Sequence, residues 1–256
     1  AGYDELCIEG GNENIGMCFL SPAANNVTQQ ISFGDSNNNQ SGRIIYNHAS
    51  DYMSLGVGGG ADNERLRIDS SGNIGVGVVP KTGQYSGYNH LQVGESGTLS
   101  SNDTQGDTNV TTLSNNLYLN SNASYWKYLH ADEASLYQQY SGTHRFSVAA
   151  SGSADANVSL SQILRIDSDG VKFNGDTAAA NALDDYEEGT WTPTDNSGAG
   201  LAYSSSSTAR YTKIGRYIML SFDVTVASNS NGALASMAIP FSSSNYGAGV
   251  TGWNEV

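Results

Sequence analysis

The segment Leu66-Arg67-Ile68-Asp69-Ser70 returns letter for letter as Leu164-Arg165-Ile166-Asp167-Ser168, 98 residues later, with Gly170 at the same offset from Gly72. Leu66 and Ile68 share one parity and Arg65 and Arg67 the other, the signature of a two-faced strand. Asp69-Ser70-Ser71-Gly72-Asn73 then offers turn chemistry: side chains that bond local backbone and a glycine free to take positive φ. Ile74, Val76 and Val78 alternate again until Pro80. The repeated unit is strand, tight corner, strand. After Gly170 the second copy loses register, because Val171 and Phe173 lie on the opposite parity from Ile74 and Val76. The spacing is longer than that of ordinary solenoid repeats.

Short runs of the same kind fill the chain. Leu6-Cys7-Ile8 and Ile15 to Leu20 read as a hairpin across Gly10 to Asn14. Val27 to Phe33, Arg43 to Tyr46 and Tyr52 to Val57 read as strands leading into the repeat. Lys81 to Tyr88 is a polar connector. Beyond it, strand candidates are Leu91 to Val93, Val110 to Leu113, Leu117 to Leu119, Tyr125 to Leu129, Leu136 to Tyr140, Arg145 to Val148 and Val158 to Ile166. Asp176 to Leu183 is the one helix-like stretch, and it predicts one or two turns, since Asp184, Asp185, Glu187 and Glu188 oppose the dipole at its C-terminal end. A different pattern begins at Gly189-Thr190-Trp191. Ile218, Leu220, Phe222, Val224 and Val226 predict one long strand with a buried face. Ala235, Met237, Ile239 and Phe241 predict its hairpin partner across Asn229 to Gly232.

The reading is therefore an all-β chain in four parts: a first β block over 1–80, a second over 81–175, a short acidic junction over 176–190 and a C-terminal β-sandwich-like domain over 191–256. So few well-defined strands at the end predict an incomplete final domain. The start at Ala1-Gly2-Tyr3, with neither initiator Met nor signal-peptide pattern, fits a fragment. Charged residues make up 14%, below the ~25% of ordinary domains. Ser, Asn and Gly fill roughly a third of the chain, which favours turns and short strands. A net charge of −14 argues against nucleic acid and anionic membrane surfaces as partners. No apolar run reaches transmembrane length. Cys7 and Cys18 either pair across the first hairpin or stay as buried free thiols, and a turn centred near Asn12 sets the two sulfurs diagonally.

Several patterns have bland readings that outweigh the chemical ones. Gly56-Val57-Gly58-Gly59-Gly60-Ala61 fits a dinucleotide fingerprint but leads into a strand where that site needs a helix. Asp167-Ser168-Asp169-Gly170 has two carboxylates at calcium-like spacing without the remaining oxygen ligands. His48, His90, His130 and His144 form no metal-ligand pair. No metal and no cofactor is expected. Asp184, Asp185, Glu187 and Glu188 could form an acid–base pair for glycan cleavage, but crowded acids at a junction are more often a solvated linker. Trp191, Tyr203, Tyr211, Tyr217, Tyr246 and Trp253 could stack on sugars or serve as core.

Glu64 to Gly77, with Ile31-Ser32-Phe33-Gly34-Asp35 and Gly42 to His48 upstream, resembles a segment repeated in tail-fibre and related virion proteins of tailed bacteriophages, especially phages of aquatic bacteria. Asn181 to Thr194, with Tyr211-Thr212-Lys213-Ile214-Gly215-Arg216 downstream, resembles the opening of a C-terminal domain in the same class. The resemblance implies an elongated homotrimeric fibre of β-prism or β-sandwich repeats, a virion component assembled in the host cytoplasm. Its distal domain would contact a host-surface glycan or protein, and other tail proteins would hold it on the particle. The lost register after Gly170 and the incomplete final domain depart from that pattern. Composition agrees, since short one-faced strands cannot each build a private core and three chains could bury them together. The expected function is non-enzymatic attachment to the host. A tailspike-like glycan depolymerase and a purely structural stalk or head fibre are the alternatives. No fixed receptor motif exists to carry over, so recognition is expected on loops of the final domain: 204–207, 229–231 and 242–246, with Tyr203, Ser205, Asn229, Asn231, Asn245 and Tyr246 as candidates.

Overall fold

The computed structural model describes residues 16–21, 27–59, 63–102, 109–121, 125–198, 200–204, 208–228 and 236–241. The chain is all-β: among these residues the one helical element is a single 3-10 turn, Ala179–Asn181. Contacts divide it into two units, Ala1–Ser168 with Lys172–Thr177, and Asp169–Val171 with Ala178–Val256.

The first unit is built on β1 (Thr28–Phe33), β2 (Gly42–Asn47), β3 (Tyr52–Val57), β4 (Glu64–Ile68), β5 (Ile74–Val76), β6 (Tyr88–Val93), β7 (Gly97–Asn102), β8 (Val110–Asn115), β9 (Leu117–Leu119), β10 (Trp126–Tyr128), β11 (Ala134–Tyr140), β12 (Thr143–Ala149), β13 (Ser161–Asp167) and β14 (Gly170–Phe173). Twelve of these form one sheet in the order β1-β2-β3-β4-β5-β6-β7-β8-β11-β12-β13-β14. Neighbours run antiparallel from β1 to β5 and from β6 to β13, while β5 and β6 run parallel. Strands from both expected blocks thus share the sheet and meet at that parallel pair. β9 and β10 form a separate hairpin.

The covered face of this sheet is the polar one. Ser54, His90, Gln92, Thr98, Ser100, Thr112 and Ser114 are all buried. His90, Gln92, Thr98, Ser100, Thr112 and Ser114 are tolerated there because each finds a partner. Thr98 Oγ1 lies 2.5 Å from Ser114 Oγ and donates to the Leu117 carbonyl at 3.0 Å. His90 Nδ1 is 2.8 Å from Ser100 Oγ, with Nε2 3.0 Å from the Tyr85 carbonyl. Gln92 Oε1 accepts the Lys81 amide at 2.9 Å. The small apolar core sits at one end of this face, where Leu117, Tyr128, Ala134, Leu136 and Ala149 pack with Trp126, Val158 and Leu160. Asn116, in the left-handed region at φ 59°, locks the turn into β9. Its amide donates to the carbonyls of His130 (3.2 Å) and Glu133 (3.0 Å), and its oxygen accepts the His130 amide at 2.7 Å.

The two copies of the repeat make different corners. In the first, Asp69 Oδ1 accepts the amides of Ser71 and Asn73, both at 2.9 Å, and Gly72 turns at φ 83° within a five-residue loop from Asp69 to Asn73. In the second, Asp167 stays in β13, only Ser168 and Asp169 form the turn, and Gly170 takes φ 121°. A three-residue difference in loop length flips the parity of everything after it. Lys172 is consequently buried at 1% exposure, with Nζ 2.9 and 3.0 Å from the two Asp167 oxygens. Arg165 Nε reaches the same carboxylate at 2.5 Å.

The second unit holds β15 (Tyr186–Thr190), β16 (Ala202–Tyr203), β17 (Thr208–Ile214), β18 (Tyr217–Asp223) and β19 (Val226–Ser228). β15, β17 and β18 form an antiparallel sheet, and β16 pairs with β19. Gly189 faces Tyr211, whose ring would lie 2.7 Å from a β-carbon there. Tyr211 meets Phe241 edge-on at 4.8 Å.

Three expectations are corrected. Gly16–Ser21 is irregular rather than strand, and Cys18 is an exposed free thiol; Cys7 lies outside the described residues. The single long strand ending at Val226 is two strands. β18 is paired with β17 only as far as Thr208–Asp223, after which Thr225 accepts the Ser204 amide and Val226 pairs with Tyr203. Backbone groups leaving one ladder must be satisfied by another. Met237 bridges Asp195 instead of forming a described hairpin with β18, with Asn196 N bonded to Ser236 O and Ala238 N to Thr194 O.

Candidate functional site

Two features of the described residues could make contacts beyond the chain. The first is the uncovered face of the twelve-stranded sheet. Cross-strand partners align Tyr46, Met53, Ile68, Ile74, Leu91, Leu99, Leu113, Tyr137, Phe146 and Leu164 in one continuous row. A second row runs Ile31, Ile44, Leu55, Leu66, Val76 and Val93. Members of both rows stand open to solvent in the single chain, among them Leu113 at 57% and Val93 at 54% exposure. Leu66 and Leu164 are half-buried, while Ile68 and Ile166 are exposed. Arg67, on the opposite face, is paired with Glu64 at 2.6 Å and stacks 3.8 Å above the Tyr52 ring.

The second feature is a pocket of about 480 Å³ in the C-terminal unit, lined by Trp191, Thr192, Pro193, Thr194, Asp195, Leu201, Tyr203 and Ser204. The Thr190–Trp191 exit from β15 and the β16 strand form its walls. Asp195 organises its loop. Oδ1 accepts the Ser197 hydroxyl (2.5 Å) and amide (2.8 Å), and Oδ2 accepts the amides of Gly200 (3.0 Å) and Leu201 (3.1 Å). The Ser197 side chain and then these backbone donors hold the carboxyl below its ordinary pKa. Trp191 packs edge-on against Phe222 at 6.2 Å, and its indole N–H is buried without an acceptor.

Of the six predicted recognition residues, Tyr203 lines this pocket; Ser205, Asn229, Asn231, Asn245 and Tyr246 lie outside the described residues. Thr192, Thr194, Asp195 and Leu201 escaped the sequence reading. The one signal that could have found them is Asp195-Asn196-Ser197-Gly198, a turn sequence directly after the Trp-Thr-Pro segment.

Three of the four junction acids have side-chain partners within the C-terminal unit. Lys213 bridges Asp185 and Glu187, the latter at 3.3 Å, and Tyr186 bonds Glu188. Asp185, then Glu187, raises the pKa of Lys213. No His, Cys, Asp or Glu group fit for a metal ion occurs among the described residues. Among the described residues, the element after the Gly56–Gly59 run is the strand β4 and not a helix. No described helix is long and apolar enough to cross a membrane.

Comparison with family models, curated proteins and solved structures finds no match to this chain.

Proposed function

We propose that this chain is a fibre protein of a tailed-phage virion, assembled as a homotrimer and attaching the particle to the host surface through its C-terminal unit. The observation that supports this reading best is the inverted sheet. A chain folding alone should bury its apolar face, yet here the hydroxyl-bearing face is covered and the apolar ladder is open. Nine members of the two rows are exposed large hydrophobics, and each partner in a stable interface gives up ~800 Å². Monomeric proteins rarely expose so much contiguous apolar surface. Identical ladders on identical chains fill one another, and a cyclic arrangement of three closes without leaving a free face.

The protein acts by binding and not by bond cleavage. Asp185, Glu187 and Glu188 are engaged by Lys213 and the Tyr186 hydroxyl, which supports this reading. Sedimentation at micromolar concentration should give a trimer, and fluorescently labelled protein should decorate susceptible cells. A compact monomer that binds no cell would overturn the proposal. Release of reducing ends from host polysaccharide, abolished by Asp185→Asn or Glu188→Gln, would replace it with a depolymerase.

A further inference from the structure

We infer that the pocket between Trp191 and Tyr203 takes an uncharged sugar residue. This rests on the reading that the C-terminal unit carries recognition, and it names the chemistry of the ligand.

The pocket's volume, about 480 Å³, lies within the ~300–1,000 Å³ of small-ligand clefts. Its lining combines two aromatic residues, Trp191 and Tyr203, with the hydroxyl-bearing Thr192, Thr194 and Ser204. An aromatic ring offers an apolar face to the C–H side of a pyranose, and its polar edge or tip bonds where one end of the ligand is wet. Hydroxyls both donate and accept, as sugar hydroxyls require. A purely apolar ligand would offer the Thr192 and Thr194 hydroxyls nothing to bond, and each lost bond discriminates against it.

Charge decides between sugar classes. Among the described residues no lysine, arginine or histidine lines the pocket, and the one lining carboxylate, Asp195, is committed to four donors of its own loop. A uronate, sialate or phosphorylated sugar would meet a fixed negative charge with no cation to offset it. A cationic sugar would find that carboxylate's oxygens already occupied. The chain's net charge of −14 adds to the penalty on anions at long range. What fits is a hexose or N-acetylhexosamine without an ionised group.

Trp191 supplies an independent handle. Its buried N–H has no acceptor, so Trp191→Phe removes part of the ring without breaking a side-chain hydrogen bond of the fold. Its effect on binding therefore reports on the ring. Thr194 is exposed, so Thr194→Val leaves the fold intact and removes one hydroxyl.

The test uses the whole chain against two sets of labelled oligosaccharides. One set is neutral, built from glucose, galactose, mannose and N-acetylglucosamine; the other carries glucuronate, sialate or phosphate. The expected result is binding to at least one neutral member, with quenching of tryptophan fluorescence and little dependence on salt. Tyr203→Ala should weaken it at least tenfold, and Trp191→Phe and Thr194→Val severalfold each. Binding confined to the acidic set, or neutral binding that none of the three variants alters, overturns the inference. A panel of aquatic bacteria separates this from the attachment reading. Cell attachment with no neutral-sugar binding, or attachment untouched by the pocket variants, sinks the sugar assignment and leaves attachment standing. Neutral-sugar binding through the pocket without attachment to any cell does the reverse.

Discussion

Leu113→Asp tests the inverted sheet most directly. Leu113 sits mid-row between Leu99 and Tyr137 and is 57% exposed in the single chain. A polar residue there costs an isolated chain little, because solvent already reaches it. In a trimer that covers the row, about 100 Å² of Leu113 surface per chain is buried, worth about 2.5 kcal/mol at ~25 cal/mol/Å². Three copies lose about 7 kcal/mol, or roughly five decades in association constant. A carboxylate forced into that interface costs several kcal/mol more per chain. Sedimentation velocity at micromolar concentration, paired with far-UV circular dichroism, reads both effects. The expected variant sediments as a monomer with an unchanged β spectrum. A variant that sediments like the parent, or one that loses its β spectrum together with its assembly, refutes the reasoning.

Other outcomes follow from buried polar groups. Asp167→Ala should lower stability by about 3–5 kcal/mol, because it strips the carboxylate set between Arg165 and buried Lys172, whereas Lys172→Met should cost far less; thermal melts of both variants check the asymmetry. Asn116→Asp turns a donor facing two carbonyls into an acceptor, and a loss of at least ~2 kcal/mol in chemical denaturation is expected. Burial, the largest influence on His90, lowers its pKa below the ordinary value. The unfolded chain therefore holds that proton more tightly, so the contribution is complete above pH ~6.5 and is lost as pH falls through the folded pKa. The melting temperature should drop more steeply below pH ~6.5 for the parent than for His90→Gln, and equal slopes would remove His90 from the account.

Strand positions were largely legible because they rest on period-2 alternation, a local property. β8, β9, β11, β12 and β13 fall close to where their apolar residues place them. β7 was not legible: its lone apolar residue, Leu99, points to the open face, and Thr98 and Ser100 are buried by bonds to partners distant in sequence. The Leu-Arg-Ile-Asp-Ser string was visible twice, yet its two corners differ because Lys172 meets Asp167 in one copy and the loop amides of Ser71 and Asn73 meet Asp69 in the other. Tyr203 was found through its aromatic character in a turn-rich stretch. Trp191 was flagged with it as an aromatic, but Asp195 and Leu201 were not, since they join the pocket only through loop bonds that no periodicity encodes.

By itself, then, the sequence determined the secondary structure class, most strand positions and which residues share a face. Alternation fixes side-chain parity before any strand has found a neighbour. Which face is covered was decided only by the tertiary structure. Parity says that Leu113 and Thr112 point opposite ways, but it cannot say toward which one the β9–β10 hairpin folds. That choice depends on where hydroxyls and amides find partners far along the chain, and they do so on the face opposite the apolar ladder.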